Sequence, residues 1–190
     1  MIYLIRHASP QVDYSRCGAA LAKVRLDEYN HTALIEEDEI SGFLNRPQLS
    51  QPLLSAEATI LSSPVNRAYA TACRLFGEER VQRDNRLHEY DLRLSAIPLV
   101  TMGLRQWFAL HRVAWLLGIS LGAVSRKAEY RRAATFADEL HVASTEAGKT
   151  VVVVSHGMFL RTVRKRLQRQ GMQAQTVYRS GCFTVETLTP

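Results

Sequence analysis

Two imidazoles and two guanidiniums stand where they could together handle a phosphoryl group. Arg6 and His7 follow the apolar run Ile2 to Ile5, Arg67 lies just beyond Thr59 to Ser62, and His156 follows Val151 to Ser155. Phosphoryl transfer needs an in-line nucleophile and cations around the three equatorial oxygens, where charge spreads in the transition state. Guanidiniums keep their charge and offer paired donors to such oxygens, which suits Arg6 and Arg67. His7 can attack only through an unprotonated ring nitrogen, and neighbouring arginines favour that form by pushing its pKa below the ordinary value of about 6.5. The other ring nitrogen then needs a fixed acceptor, such as a backbone carbonyl, to hold the tautomer.

Each of these residues ends or follows a short run of branched apolar residues that passes into a helix-like segment, the pattern of parallel strands in an α/β sheet. Ligands of open α/β sheets bind beyond the carboxyl ends of the strands, so three distant segments would deliver the four side chains to one crevice. Ser63 reads as an N-cap and Pro64 as the first residue of a helix that carries Ala68, Ala72 and Leu75 on one face. Gly157 permits a sharp turn into a basic helix with Leu160, Val163 and Leu167 inward, whose first amides are further donors for an anion. Helices are also expected over Ala19 to Tyr29 and over Tyr130 to Leu140, the latter leading through Gly148 into the Val151 strand. The acidic stretch Glu36 to Glu39 and a loop holding Pro47 and Pro52 follow the first of these, and Cys182 to Leu188 alternates as an edge strand. Residues 92–132, rich in Trp, Leu and Arg, read as a helical cap over the site, with Val113 to Val124 as a buried helix or helix pair.

At 190 residues the chain suits one domain spanning 1–190, with any second element an insertion. Three cysteines, Cys17, Cys73 and Cys182, make an odd count without metal-type spacing, which argues for reduced thiols in the cytoplasm. Met1 to Ile5 meets charge too early for a secretory signal, and the longest apolar run is well short of the roughly 20 residues that cross a bilayer, so no membrane partner is expected. A net charge of +6 suits an anionic partner. The cluster Arg161, Arg164, Lys165, Arg166 and Arg169 has no aromatic residues interleaved, which argues for a solvated face and against nucleic acid. His31, His88, His111 and His141 stand outside any motif and read as surface or capping residues, and Trp107, Phe108 and Trp115 as packing ahead of substrate contacts, with the alternative that aromatics in a cap shape a pocket.

Arg6-His7-Ala8, Ser62-Ser63-Pro64 with Arg67-Ala68, and Ser155-His156-Gly157, each at a strand end and in this order, together resemble the histidine phosphatase superfamily, which includes the phosphoglycerate mutases. The resemblance implies a three-layer α/β/α sandwich with a mostly parallel sheet and a small cap. It implies a metal-independent, cofactor-free phosphomonoester hydrolase that phosphorylates its own His7, with Arg6, Arg67 and His156 binding phosphate, acting on a small phosphorylated metabolite. The segment Leu87-His88-Glu89-Tyr90-Asp91 resembles the family stretch carrying the general acid, which makes Glu89 the candidate and Asp91 the second choice. Ala8 stands where the family usually has glycine, and Asp13 where an Asn near phosphate is common, so Asp13 either points away or marks a different pocket. Three other readings stay open: a mutase that returns the phosphoryl group to substrate, a weakly catalytic relative that binds phosphorylated ligands or RNA, and a metal site built from His7, His156 and Glu89.

Overall fold

The computed structural model describes residues 1–119, 121–145 and 149–190. Gly148 and Ser120, both part of the segments read above, lie outside the described residues. In chain order the elements are β1 (Ile2–Arg6), β2 (Arg16–Gly18), α1 (Ala19–His31), α2 (Glu37–Leu44), α3 (Pro47–Leu54), β3 (Ala58–Ser62), α4 (Asn66–Phe76), β4 (Val81–Arg83), β5 (Thr101–Gly103), α5 (Leu104–Leu116), α6 (Arg126–Thr145), β6 (Thr150–Ser155), α7 (Gly157–Arg169), β7 (Gln173–Ser180) and β8 (Phe183–Thr189).

The sheet runs β4-β3-β6-β1-β8-β7. β1, β3, β4 and β6 are mutually parallel, while β8 pairs antiparallel with β1 and β7 antiparallel with β8. Because side chains alternate along a strand, the branched residues of β1 and β6 feed two separate cores. Ile2, Leu4, Val151 and Val153 pack with Phe136, Phe159 and Leu167 of α6 and α7. Tyr3, Ile5, Val152 and Val154 pack on the other face with Ile40, Leu53 and Ala72 of α2, α3 and α4. Runs such as Val151 to Val154 are apolar throughout for this reason, since both faces of a central strand are covered. The result is the mostly parallel three-layer α/β/α arrangement that the sequence implied.

A third, smaller cluster joins two sequence-distant segments. Cys17 and Ala22 pack with Leu94, Leu104 and Trp107, and the ribbon β2–β5 ties the two stretches together. Residues 92–132 thus hold β5, α5 and the first turns of α6, and α1 shares in covering the site.

Several local readings are corrected. Cys182 to Leu188 is not the edge: β8 is interior, and the edge is β7, whose Gln173, Gln175, Thr176 and Arg179 hide its strand character behind exposed polar residues. The Pro47 and Pro52 stretch is helical as α3, with Pro47 in the first turn where a missing N–H costs nothing. Val113 to Val124 does not form a buried helix or helix pair: Trp115 is buried, but α5 ends at Leu116, and Leu117 and Ile119 are 77% and 56% exposed. His111 is buried, bonded to Ser95 and to the Trp107 carbonyl. Among the described residues no helix is long and apolar enough to cross a membrane.

Candidate active site

The parallel register brings the site together. Arg6 lies opposite Ser155 across β1 and β6, so the next residue of each strand, His7 and His156, leaves the sheet beside the other. His7 N–H donates to the Ser155 carbonyl at 3.1 Å, and the two rings meet edge to face with centroids 4.9 Å apart, close to the spacing of adjacent strands. On the far side of β6, Ser62 lies opposite Val154, and Ser63 N–H donates to the Val154 carbonyl. Ser63 therefore reaches His156. Its Oγ sits 2.9 Å from His156 Nε2 and also accepts from Val65 N–H, and α4 begins at Asn66. The expected N-cap serine thus serves the histidine, and the helix starts a few residues later than its local sequence suggests.

Arg67, in the first turn of α4, links both rings although it is only 2% exposed. Its Nε donates to His7 Nε2 at 3.2 Å, and its Nη2 lies 3.4 Å from His156 Nδ1. A guanidinium only donates, so the facing nitrogens carry no proton. The remaining nitrogens do: His7 Nδ1 donates to the Ala8 carbonyl at 2.7 Å, and His156 Nε2 donates to Ser63. Burial, reinforced by Arg67 and Arg6, holds the His7 pKa well below its usual value, and the Ala8 bond opposes this only in part. His156 is held down likewise, by burial and then by His7 and Arg67. Both rings are neutral near pH 7.

This predicts an acid-labile fold. In the unfolded chain the two imidazoles take up protons below about pH 6.5, whereas the buried rings resist protonation to lower pH. Stability is therefore full above that value and falls, by about 1.4 kcal/mol per pH unit for each ring, as the pH drops toward the depressed pKa values. Urea midpoints measured from pH 7.5 to 5 should decline, and a His7→Ala, His156→Ala double variant should flatten the decline.

Arg6 approaches from the opposite side. Its Nη2 reaches Cys182 Sγ at 3.4 Å, while its Nε is buried without a hydrogen-bond partner among the described residues. A β-carbon on Gly157 would stand 3.2 Å from that Nε and 3.3 Å from Cζ, so the missing side chain is what lets the guanidinium lie against the start of α7. Ala8 is fully buried in the second core and its N–H donates to Thr71 Oγ1, so the extra methyl packs without reaching the rings. Asp13 points away, ion-paired with Arg25 and accepting from Ser15 N–H.

Glu89 stands at the amino end of α7. Its carboxylate accepts from Met158 N–H at 3.3 Å and Phe159 N–H at 3.2 Å, so these amides, expected to meet an anion, are engaged by Glu89 instead. Asp91 pairs with Arg93. Arg67, Glu89 and Asp91 all line one cavity of about 600 Å³, together with Tyr29, His31 and His88, which sequence reasoning had no means of placing there. The Tyr29 carbonyl accepts from Arg67 Nη1 at 2.8 Å, and its ring lies 4.2 Å from the guanidinium. Among the described residues no group of three or more His, Cys, Asp or Glu side chains is disposed to hold a metal ion.

Comparison with curated proteins gives no match. Among solved structures, a mycobacterial glucosyl-3-phosphoglycerate phosphatase in complex with VO3 is 27% identical, with 88% of this chain and 81% of that chain covered at a TM-score of 0.50. The product of an open reading frame from Mycobacterium tuberculosis is 18% identical, with 98% and 95% covered and a TM-score of 0.53, a likeness of fold. A family model for the histidine phosphatase superfamily (branch 1) matches residues 48–184, which include Arg67, Glu89 and His156. Arg6 and His7 precede the matched stretch, yet the β1–β6 register joins them to it. With well over half its length matched, the chain belongs to the histidine phosphatase superfamily.

Proposed function

We propose that the protein hydrolyses small phosphomonoesters through a phosphohistidine formed on His7, without a metal or organic cofactor. The observation that carries this reading is the tautomer: the Ala8 carbonyl takes the Nδ1 proton, leaving the Nε2 lone pair of a neutral imidazole facing the Arg67 guanidinium. An arriving phosphoryl group would exchange places with that lone pair as the partner of Arg67, and the unpartnered Nε of Arg6 would take another oxygen. His156, held by Ser63, supports the group as a neutral neighbour. Nε2 of His7 then bonds to phosphorus as the ester P–O bond breaks and the leaving alkoxide takes a proton from Glu89. In the second half Glu89 draws a proton from water, the water oxygen bonds to phosphorus, the P–N bond breaks, and inorganic phosphate departs. The free state of Cys17, Cys73 and Cys182 suits a reducing compartment such as the cytoplasm.

The assay is phosphate release from an aryl phosphate in the presence of EDTA. Turnover that survives the chelator, is inhibited by vanadate and passes through an acid-labile phosphoenzyme supports the reading; loss of turnover to EDTA, reversed by added metal, would sink it. Glu89→Gln is expected to lower kcat/KM, which covers the steps through departure of the alkoxide and not the shared hydrolysis of phosphohistidine, by about 10²- to 10⁴-fold on an alkyl phosphate, whose alkoxide needs a proton, and much less on an aryl phosphate with an acidic phenol. Equal losses on both substrates would show that the carboxylate only holds the start of α7 in place.

A further inference from the structure

We infer that the leaving group of the substrate is uncharged and carries an apolar ring, seated against the side chains that α1 and α5 present to one cavity. This rests on the phosphomonoesterase reading and adds the substrate class to it. Of the four residues proposed to handle the phosphoryl group, Arg67 lines the cavity of about 600 Å³ and Arg6, His7 and His156 do not, so most of its space belongs to the part of the substrate beyond phosphorus. Leu26 and Tyr29 of α1, Phe108 of α5, Val65 and Met158 supply its apolar lining. Phe108 meets Tyr29 edge to face at 5.2 Å, and Tyr29 in turn covers the guanidinium, so the sequence outward from the phosphoryl end is cation, ring, ring. A planar apolar group extends that series.

The charges on the wall point the same way. Its carboxylates are Glu89 and Asp91. Its cation away from the phosphoryl end, Arg112, donates to the carbonyls of Tyr90 and Asp91 and lies over the Trp115 ring. Burial and then Arg132 push the His88 pKa down, so that imidazole brings no charge near neutrality. A second phosphate or a carboxylate on the substrate would share the cavity with these two carboxylates, while the donors of Arg112 are turned toward backbone carbonyls.

Benzyl phosphate and 3-phosphoglycerate test this, because both release ordinary alkanols and differ in the ring and the extra charge. Wild-type kcat/KM should favour benzyl phosphate by roughly tenfold or more, and Phe108→Ala should cut its kcat/KM at least about fivefold more than that of 3-phosphoglycerate. Preference for 3-phosphoglycerate, or equal losses on both in Phe108→Ala, would overturn the inference. Binding separates it from the catalytic reading: His7→Ala protein should hold benzylphosphonate more tightly than phosphonoacetate by calorimetry. If neither ester turns over yet benzylphosphonate binds preferentially, the hydrolase reading fails and the cavity assignment stands; if phosphonoacetate binds as well or better, the assignment fails.

Discussion

Replacing His7 with Ala is expected to abolish phosphomonoester turnover, with a loss on the order of 10⁴-fold or more, because it removes the nucleophile of the proposed covalent intermediate. His7 is 1% exposed and bonded on both sides, to Ala8 and to Arg67, so the change removes a fixed nucleophile rather than a mobile one. The variant should remain folded, since the lost ring is small beside the two apolar cores and its removal takes away a desolvated polar group. The check combines a turnover assay, a urea melt and acid-quench trapping of the phosphoenzyme. Residual activity above about a hundredth of wild type, in a folded variant, would mean that another group attacks phosphorus.

Arg67→Lys should lower kcat/KM by about 10² to 10³-fold, although charge is kept. The guanidinium touches His7, His156 and the Tyr29 carbonyl at once, through three different nitrogens. A lysine ammonium is a single point on a flexible stem and cannot hold that fork in a buried position. Arg67→Ala should be worse for stability, because it strands the Tyr29 carbonyl and opens a void beside both rings. Near-normal kinetics for Arg67→Lys would show that the planar arrangement is unimportant and that charge alone suffices.

The parts of the fold that could be read from the sequence are those where pattern and environment agree. The runs ending at Ile5, Ser62 and Ser155 are apolar because both faces of those strands are covered, and each ends on the polar residues that cluster beyond the sheet. Arg6, His7, Arg67 and His156 consequently meet as their positions suggested. Legibility failed where tertiary contacts override local preference. Ser63 looks like a cap but its hydroxyl belongs to His156, β7 looks like a loop because it lies at an edge, and α3 survives two prolines because one sits where no N–H is needed. Tyr29 was unreadable as a wall residue, and pocket could not be chosen over packing for Phe108, since nothing local says that α1 and α5, more than seventy residues apart, face one cavity. Asp13 could be settled only by seeing Arg25 beside it.

The neighbours of β1 are β6 and β8, both from the last 41 residues of the chain, Thr150 to Pro190. During synthesis β1 therefore waits, with Ile2, Tyr3, Leu4 and Ile5 bare and its edges open, until the stretch beyond Thr150 has left the ribosome. Such long-range pairing is slow to form and exposes sticky backbone meanwhile, so expression yield is expected to depend on chaperones and temperature more than the stability of the finished molecule would suggest. The same ordering has a protective side: a truncated chain lacking β6 lacks His156 as well, and prematurely terminated products are expected to be inert.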